Sequence, residues 1–258
     1  MIEFGLSISA DEHFEKLPVK RVSNFDFFEF SGSLLDSDAA CRKLESLHKN
    51  GCSLVVKDIL DPTLVHLVQT ENFQVHLEFD RKLHERCSIA GELGADMAGA
   101  AFDIARALEY PEYVPSLKQL LKSTLATFNE NSLDIIFPGR IPAPPGSGNI
   151  TDVIAFAQKM MYPRMVTCIE FHPHEPGAFE ELEKHFGIIR FHREYFRLCF
   201  EPEHGNYLSY ALFKKFLDAA DLKSAVNSRV AVAPGLQMPD DAMLEDLLKL
   251  IKDIENEY

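Results

Sequence analysis

Eight short apolar runs, seven of them followed by a stretch with helical spacing, recur at roughly 30-residue intervals along the chain, the length of one strand plus one crossover helix. The runs cover 2–9, 25–31, 53–59, 96–103, 133–137, 165–172, 197–201 and 229–233. Between and after them, apolar residues repeat every three or four positions, which buries one face of a helix. Ala40, Leu44 and Leu47 form the first such stripe, stopped by Asn50-Gly51. Leu83, Cys87, Ala90 and Leu93 form the second, stopped by Gly94. Further stripes run through Leu117, Leu121 and Leu125, through Val153, Ala157 and Met161, and through Phe179, Leu182 and Phe186. Phe213, Phe216 and Leu217 make another, and Leu244, Leu247, Leu248, Ile251 and Ile254 close the chain. Only the interval after the first run carries no helical signal.

Strand–helix alternation means parallel strands joined by crossovers. Eight units within 258 residues favour one closed (β/α)8 TIM barrel, a single domain over 1–258. An open doubly wound sheet is the alternative, but no GxGxxG or GxxxxGK[ST] loop follows any strand. The 140–149 stretch, rich in Pro and Gly, reads as a loop after the fifth strand, neither helix nor central strand. Its expected place is over the barrel mouth.

The net charge of −14 argues against a nucleic-acid track, which needs a basic stripe. Twenty Phe and no Trp read as core rather than as a platform for stacking bases. Five cysteines without a CxxC fit reduced thiols rather than an oxidised scaffold. No apolar stretch approaches a membrane span, and the first residues lack a signal-peptide pattern. The expectation is a cytoplasmic protein with a small-molecule partner, no nucleic acid and no membrane. Homo-oligomerisation is left open.

In a barrel of this kind, chemistry comes from the carboxyl ends of the strands. The sixth run ends Cys168-Ile169-Glu170-Phe171-His172-Pro173-His174. Side chains alternate across a strand, so Ile169 and Phe171 face the helices while Cys168, Glu170 and His172 face the barrel axis. An acid and an imidazole are costly to bury without partners. They are also ligands that Zn, Mn or Fe accept. The seventh run ends Cys199-Phe200-Glu201-Pro202-Glu203-His204-Gly205, with Cys199 and Glu201 on the inner face. Adjacent strands lie about 4.8 Å apart, so Glu170, His172, Glu201 and His204 are expected to share one pocket. Carboxylates that close need a cation between them, either a metal or an inward Arg197. Arg140, Lys57 and Glu29, at the ends of the fifth, third and second runs, are candidate substrate-binding residues. Asp103 and His192 are weaker candidates, the first as a capping residue and the second as a loop histidine.

The chain resembles the xylose isomerase-like barrels, the sugar phosphate isomerase and epimerase superfamily, as a divergent member. The resemblance rests on Ile2-Glu3-Phe4-Gly5-Leu6, Phe25-Asp26-Phe27-Phe28-Glu29-Phe30, Glu92-Leu93-Gly94-Ala95-Asp96, Glu170, and Glu201-Pro202-Glu203-His204. It implies a divalent metal (Mn, Zn, Fe, Co or Mg) held by Glu170, His172, Glu201 and His204. It also implies a carbohydrate substrate and proton transfer by the carboxylates Glu170 and Glu201. The sequence departs from that pattern at the fifth strand, which ends Phe137-Pro138-Gly139-Arg140, and at the eighth, which ends Ala233-Pro234-Gly235. Neither end carries an acid. A second register would make Glu170 and Glu201 the acids of the fifth and sixth strands. The competing functions are a barrel that only binds a small ligand or a protein, and a metal-dependent hydrolase.

Overall fold

A computed structural model describes residues 1–8, 14–61, 64, 73–100, 102, 104, 112, 114–144, 149–160, 164–235 and 239–257. The strands are β1 (Ile2–Ser7), β2 (Phe27–Phe30), β3 (Ser53–Val56), β4 (Ala95–Gly99), β5 (Asp134–Ile141), β6 (Met165–Phe171), β7 (Tyr195–Cys199) and β8 (Ser228–Ala233). All neighbouring pairs are parallel, and β8 returns to β1 to close the barrel in sequence order. A helix follows each strand: α1 (Val19–Val22), α2 (Asp38–Lys49), α3 (Phe73–Glu92), α4 (Val114–Glu130), α5 (Ile150–Met160), α6 (Ala178–Ile189), α7 (Tyr210–Ala219) and α8 (Asp241–Glu255). The closed single-domain (β/α)8 barrel is therefore the fold, and the open sheet is excluded. The weakest helical interval, after β1, holds only the four-residue α1. Among the described residues, no helix is long and apolar enough to cross a membrane.

Local signals place the helices. Ser37, Ser209 and Asp240 cap α2, α7 and α8, each accepting a backbone N–H with its side-chain oxygen. Gly94, past the end of α3, adopts φ 80°, a left-handed conformation that ends a helix without a Cβ clash.

Two core layers follow from strand alternation. The outer layer lies between sheet and helices and includes Phe28, Phe30, Ile169, Phe171, Phe196 and Leu198. The inner layer fills the barrel with Phe27, Val55, Ile136, Cys168, Tyr195 and Ala231. Gly5 belongs to this packing, because a Cβ there would overlap the Phe27 ring. Below the apolar layer, Arg229 joins Glu3 and Asp96, at 2.7 Å each. Above it, the interior turns polar.

Two boundary departures bear on the site, while β2, β3 and β4 come out shorter than the expected 25–31, 53–59 and 96–103. β5 runs on through Pro138, Gly139 and Arg140 to Ile141, so Arg140 and Ile141 are strand and not loop. Pro138 is tolerated for a geometric reason. The Ile135 N–H donates to Arg164 on the β6 side, which turns the even-numbered backbone groups of β5 toward β4. β4 stops pairing at Gly99, opposite Ile136, so Pro138 lacks an N–H where no strand needs one. The other correction is β7, which starts at Tyr195, two residues before the expected Arg197, and ends at Cys199. Residues 145–148 of the expected mouth loop, and Asp103, lie outside the described residues.

Candidate active site at the carboxyl-terminal mouth

The polar interior begins one inward position above the apolar layer. Phe27 on β2 is followed on the same face by Glu29, and Tyr195 on β7 by Arg197. β2 and β7 are three strands apart around the ring. Side chains reaching inward from both meet across the interior. Arg197 donates from Nε to Glu29 Oε2 at 2.8 Å and from Nη2 to Oε1 at 2.6 Å. The Tyr195 hydroxyl donates to Glu29 Oε1 at 2.9 Å. The third arm of the guanidinium, Nη1, donates to Glu170 Oε1. Register places Glu170 beside Arg197 on adjacent strands.

The Glu29 and Arg197 side chains are 0% and 2% exposed, against 24% for Glu170. Burial raises the Glu29 carboxyl, but the Arg197 guanidinium outweighs it and holds Glu29 below its ordinary range. Glu29 is thus an ionised brace beneath Arg197. This changes the part expected of it, since a carboxylate shut under Arg197 cannot touch a ligand in the mouth. Lys57, at the end of β3, lies close enough to act on Glu29, Asp58, His172 and Cys199. Burial raises the Asp58 carboxyl above its ordinary value, against the opposing pull of Arg197 and Lys57.

At the rim, Arg140 pairs with Glu175 and stands beside Glu170 in the β5–β6 register. His172 Nδ1 lies 3.6 Å from the same Glu175 oxygen. Burial, then the nearby Arg140, lower the His172 imidazole below its ordinary 6.5, so it is neutral at pH 7. Arg140, and not His172, therefore neutralises Glu175. Glu201 follows β7 in a tight turn, where its backbone exchanges two hydrogen bonds with Asn206, both 3.1 Å. Its Oε2 meets His204 Nδ1 at 3.1 Å, with both side chains well exposed.

A cavity of about 120 Å³ between the β6 and β7 ends is lined by His172, His174, Glu175, Cys199, Glu201 and Asn206, among others. Larger hollows of about 460 and 360 Å³ lie elsewhere, one against α8 and one near Met1 at the amino end of the barrel. None of the three is lined by Glu29, Arg197 or Glu170. His172 and Glu201 therefore share a cavity, Glu170 is drawn to Arg197, and His204 reaches Glu201 from the outer side. Glu170 lies on the sixth strand and Glu201 just past the seventh, which settles the register. His192 donates its backbone N–H to Ile189 and lies beside Gln158, as a loop histidine would.

The four residues expected to bind a metal stand in separate pairings: Glu170 with Arg197, His172 beside Glu175, and Glu201 with His204. Among the described residues, no group of three or more His, Cys, Asp or Glu side chains is set to hold a metal ion. The donors present do not fit a divalent metal. Burial raises the Cys199 thiol and pushes Cys168 up to about 12, so both stay protonated at neutral pH.

Sequence reading passed over Tyr195 and Asp58. Tyr195 shares the inward face with Arg197, but the apolar run predicts a strand that starts only at Arg197. Asp58 lies past the end of β3, although the apolar run carries the expected strand on to Ile59.

No protein-family model and no curated protein matches this sequence. Solved structures do. A D-allulose 3-epimerase from Methylomonas sp. is similar over 98% of this chain and 97% of its own, with a TM-score of 0.64 and 13% identity. A 3-keto-D-glucoside 4-epimerase from E. coli is similar over 98% of this chain and all of its own, at TM-score 0.63 and 12% identity. A GH18 chitinase from Pseudoalteromonas aurantia reaches TM-score 0.60 at 8% identity, so the architecture reaches beyond epimerases. What this chain shares with these enzymes is the (β/α)8 barrel, the architecture that the resemblance to the xylose isomerase-like barrels implies.

Proposed function

We propose that this chain is a sugar isomerase or epimerase, which binds a sugar or related polyol at the carboxyl-terminal mouth and moves a proton on a carbon beside the carbonyl. The observation that carries this reading is Glu170: an inward carboxylate, braced on one oxygen by buried Arg197 and still partly exposed. A base so placed can take a proton from a C–H next to C=O, and the electrons move to the carbonyl oxygen. Lys57 and Arg140 are the cations at hand to bind that oxygen or a neighbouring hydroxyl. Neutral His172 can share hydrogen bonds with substrate hydroxyls. Glu201, at the next strand end, is the second carboxylate, suited to exchanging a proton from another side. The divalent metal that the resemblance implies enters no step, because its expected ligands stand in separate pairs.

The supporting solved structures are sugar 3- and 4-epimerases by their own descriptions. A second reading, a barrel that only binds its ligand, is favoured by one observation: β8 ends in Ala233, Pro234 and Gly235, and β5 presents Arg140 where an acid would stand. Incubation with a panel of ketoses in D₂O, followed by ¹H NMR, separates the two. The proposal expects deuterium to enter beside the carbonyl and an epimer or isomer to form, with Glu170→Gln inactive. Ligand binding by saturation transfer without any exchange would favour the binding barrel. Neither binding nor exchange would overturn the carbohydrate reading.

A further inference from the structure

We propose that the cation at the centre of this barrel is the chain's own Arg197 guanidinium, and that the site handles its ligand without a divalent metal. The carbohydrate part of this statement rests on the function proposed above; the electrostatic part does not.

The trio is built as a closed unit. Arg197 spends three N–H arms on two carboxylates from different strands, two on Glu29 and one on Glu170. Glu29 in turn uses both oxygens, one of them also accepting the Tyr195 hydroxyl. A planar guanidinium suits this work, because its fork matches a carboxylate edge and it stays charged at any working pH. Burial would ordinarily work against the Arg197 charge, but neighbouring groups, Glu29 chief among the carboxylates, hold its pKa well up. A dication entering here would have to displace a side chain that is 2% exposed and bonded on three sides.

The surroundings point the same way. β5 brings Arg140 level with Glu170, and β3 brings Lys57 within the field of Glu29. Three side-chain cations thus already stand among these carboxylates, where a divalent ion would have to sit, and β8 ends in Ala233, which offers no donor. Arg197 is then a positioning residue. It neutralises part of the charge of Glu29 and Glu170 and fixes Glu170 with its other oxygen free for a ligand.

The test begins with the native chain, purified without chelator, by elemental analysis and by thermal unfolding in about 1 mM Mn, Co, Zn or Mg chloride. The expected result is metal far below one equivalent and a Tm that moves by less than about 1 °C in any of the four. Near-stoichiometric metal, or a Tm rise of several degrees, would overturn the proposal. A second arm uses Arg197→Met, which leaves Glu29 and Glu170 facing each other with no cation between them. This variant is expected to melt lower and to regain stability as Mn or Zn is added, whereas Glu29→Gln/Arg197→Met is not. A folded Arg197→Met chain indifferent to every metal also counts against the proposal. If Arg197→Met does not fold, the native arm decides alone. The ketose experiment reports separately, so a failed carbohydrate reading leaves the metal result intact and a failed metal result leaves exchange measurable.

Discussion

Arg197 grips both oxygens of Glu29 from a strand three places around the barrel, with the two side chains 2% and 0% exposed. The pair lies on top of the apolar interior and supports everything polar above it. Removing one partner of such a pair leaves the other charge buried and alone, which costs far more than the pair gains.

Stability should therefore fall in a fixed order across three variants. Arg197→Met strands two carboxylates and is expected to cost about 3–5 kcal/mol. For a chain of this size that lowers Tm by roughly 6–20 °C. Glu29→Gln keeps a hydrogen-bonding side chain and leaves Arg197 with Glu170, so it should cost less. Tyr195→Phe loses one hydroxyl and about 1 kcal/mol. Calorimetry checks the order; a Tyr195→Phe loss as large as that of Arg197→Met would show that the charge pair is not the dominant element.

Glu170→Gln is expected to separate chemistry from folding. The amide oxygen can still accept from Arg197 Nη1, so Tm should stay within about 3 °C of native. Deuterium exchange into a ketose should drop by about 10²–10⁴-fold, the usual contribution of a positioned base. Glu201→Gln and His204→Ala touch an exposed pair and should each change stability by under about 1 kcal/mol. Unaltered exchange in Glu170→Gln would move the base elsewhere, with Glu201 the next candidate.

Acid should remove the contribution of Glu29. Its carboxyl is held below the ordinary value of 4.5 in the folded chain. The unfolded chain therefore takes up the proton first as pH falls. The stabilisation is complete above about pH 4.5 and disappears as pH drops through the lower folded value. Native protein and Glu29→Gln should thus differ most in Tm near neutrality and converge below pH 4.5. A gap that widens on acidification would mean the shift has the opposite sign.

Gly5→Ala tests the interior packing beneath the site. The added methyl overlaps the Phe27 ring, and overpacking of this kind costs about 1–3 kcal/mol. Gly5→Ala/Phe27→Leu should recover part of that loss, as neighbours sharing one volume do. Additive losses in the double variant, read by chemical denaturation, would show that the ring moves aside freely.

Local patterning along the chain was enough to set the units and their facing. Period-two alternation is a local property of extended backbone, so it placed Cys168, Glu170 and His172 inward and Ile169 and Phe171 outward without knowledge of any neighbour. Helical spacing did the same for the seven stripes that became α2 to α8. Where a local rule met a tertiary exemption, it failed: Arg140 and Ile141 read as loop, yet β5 continues through Pro138 and Gly139 to reach them because β4 has already ended on that side. Only the closed barrel decided which inward groups meet. Glu29 and Arg197 are 168 positions apart, and their contact depends on strand order, register and closure together. The same closure committed Glu170 to Arg197, while the turn after β7 paired Glu201 with His204. Residue types announced a charged mouth; the partner each charge takes is set by distances across the ring, which no spacing along the chain encodes.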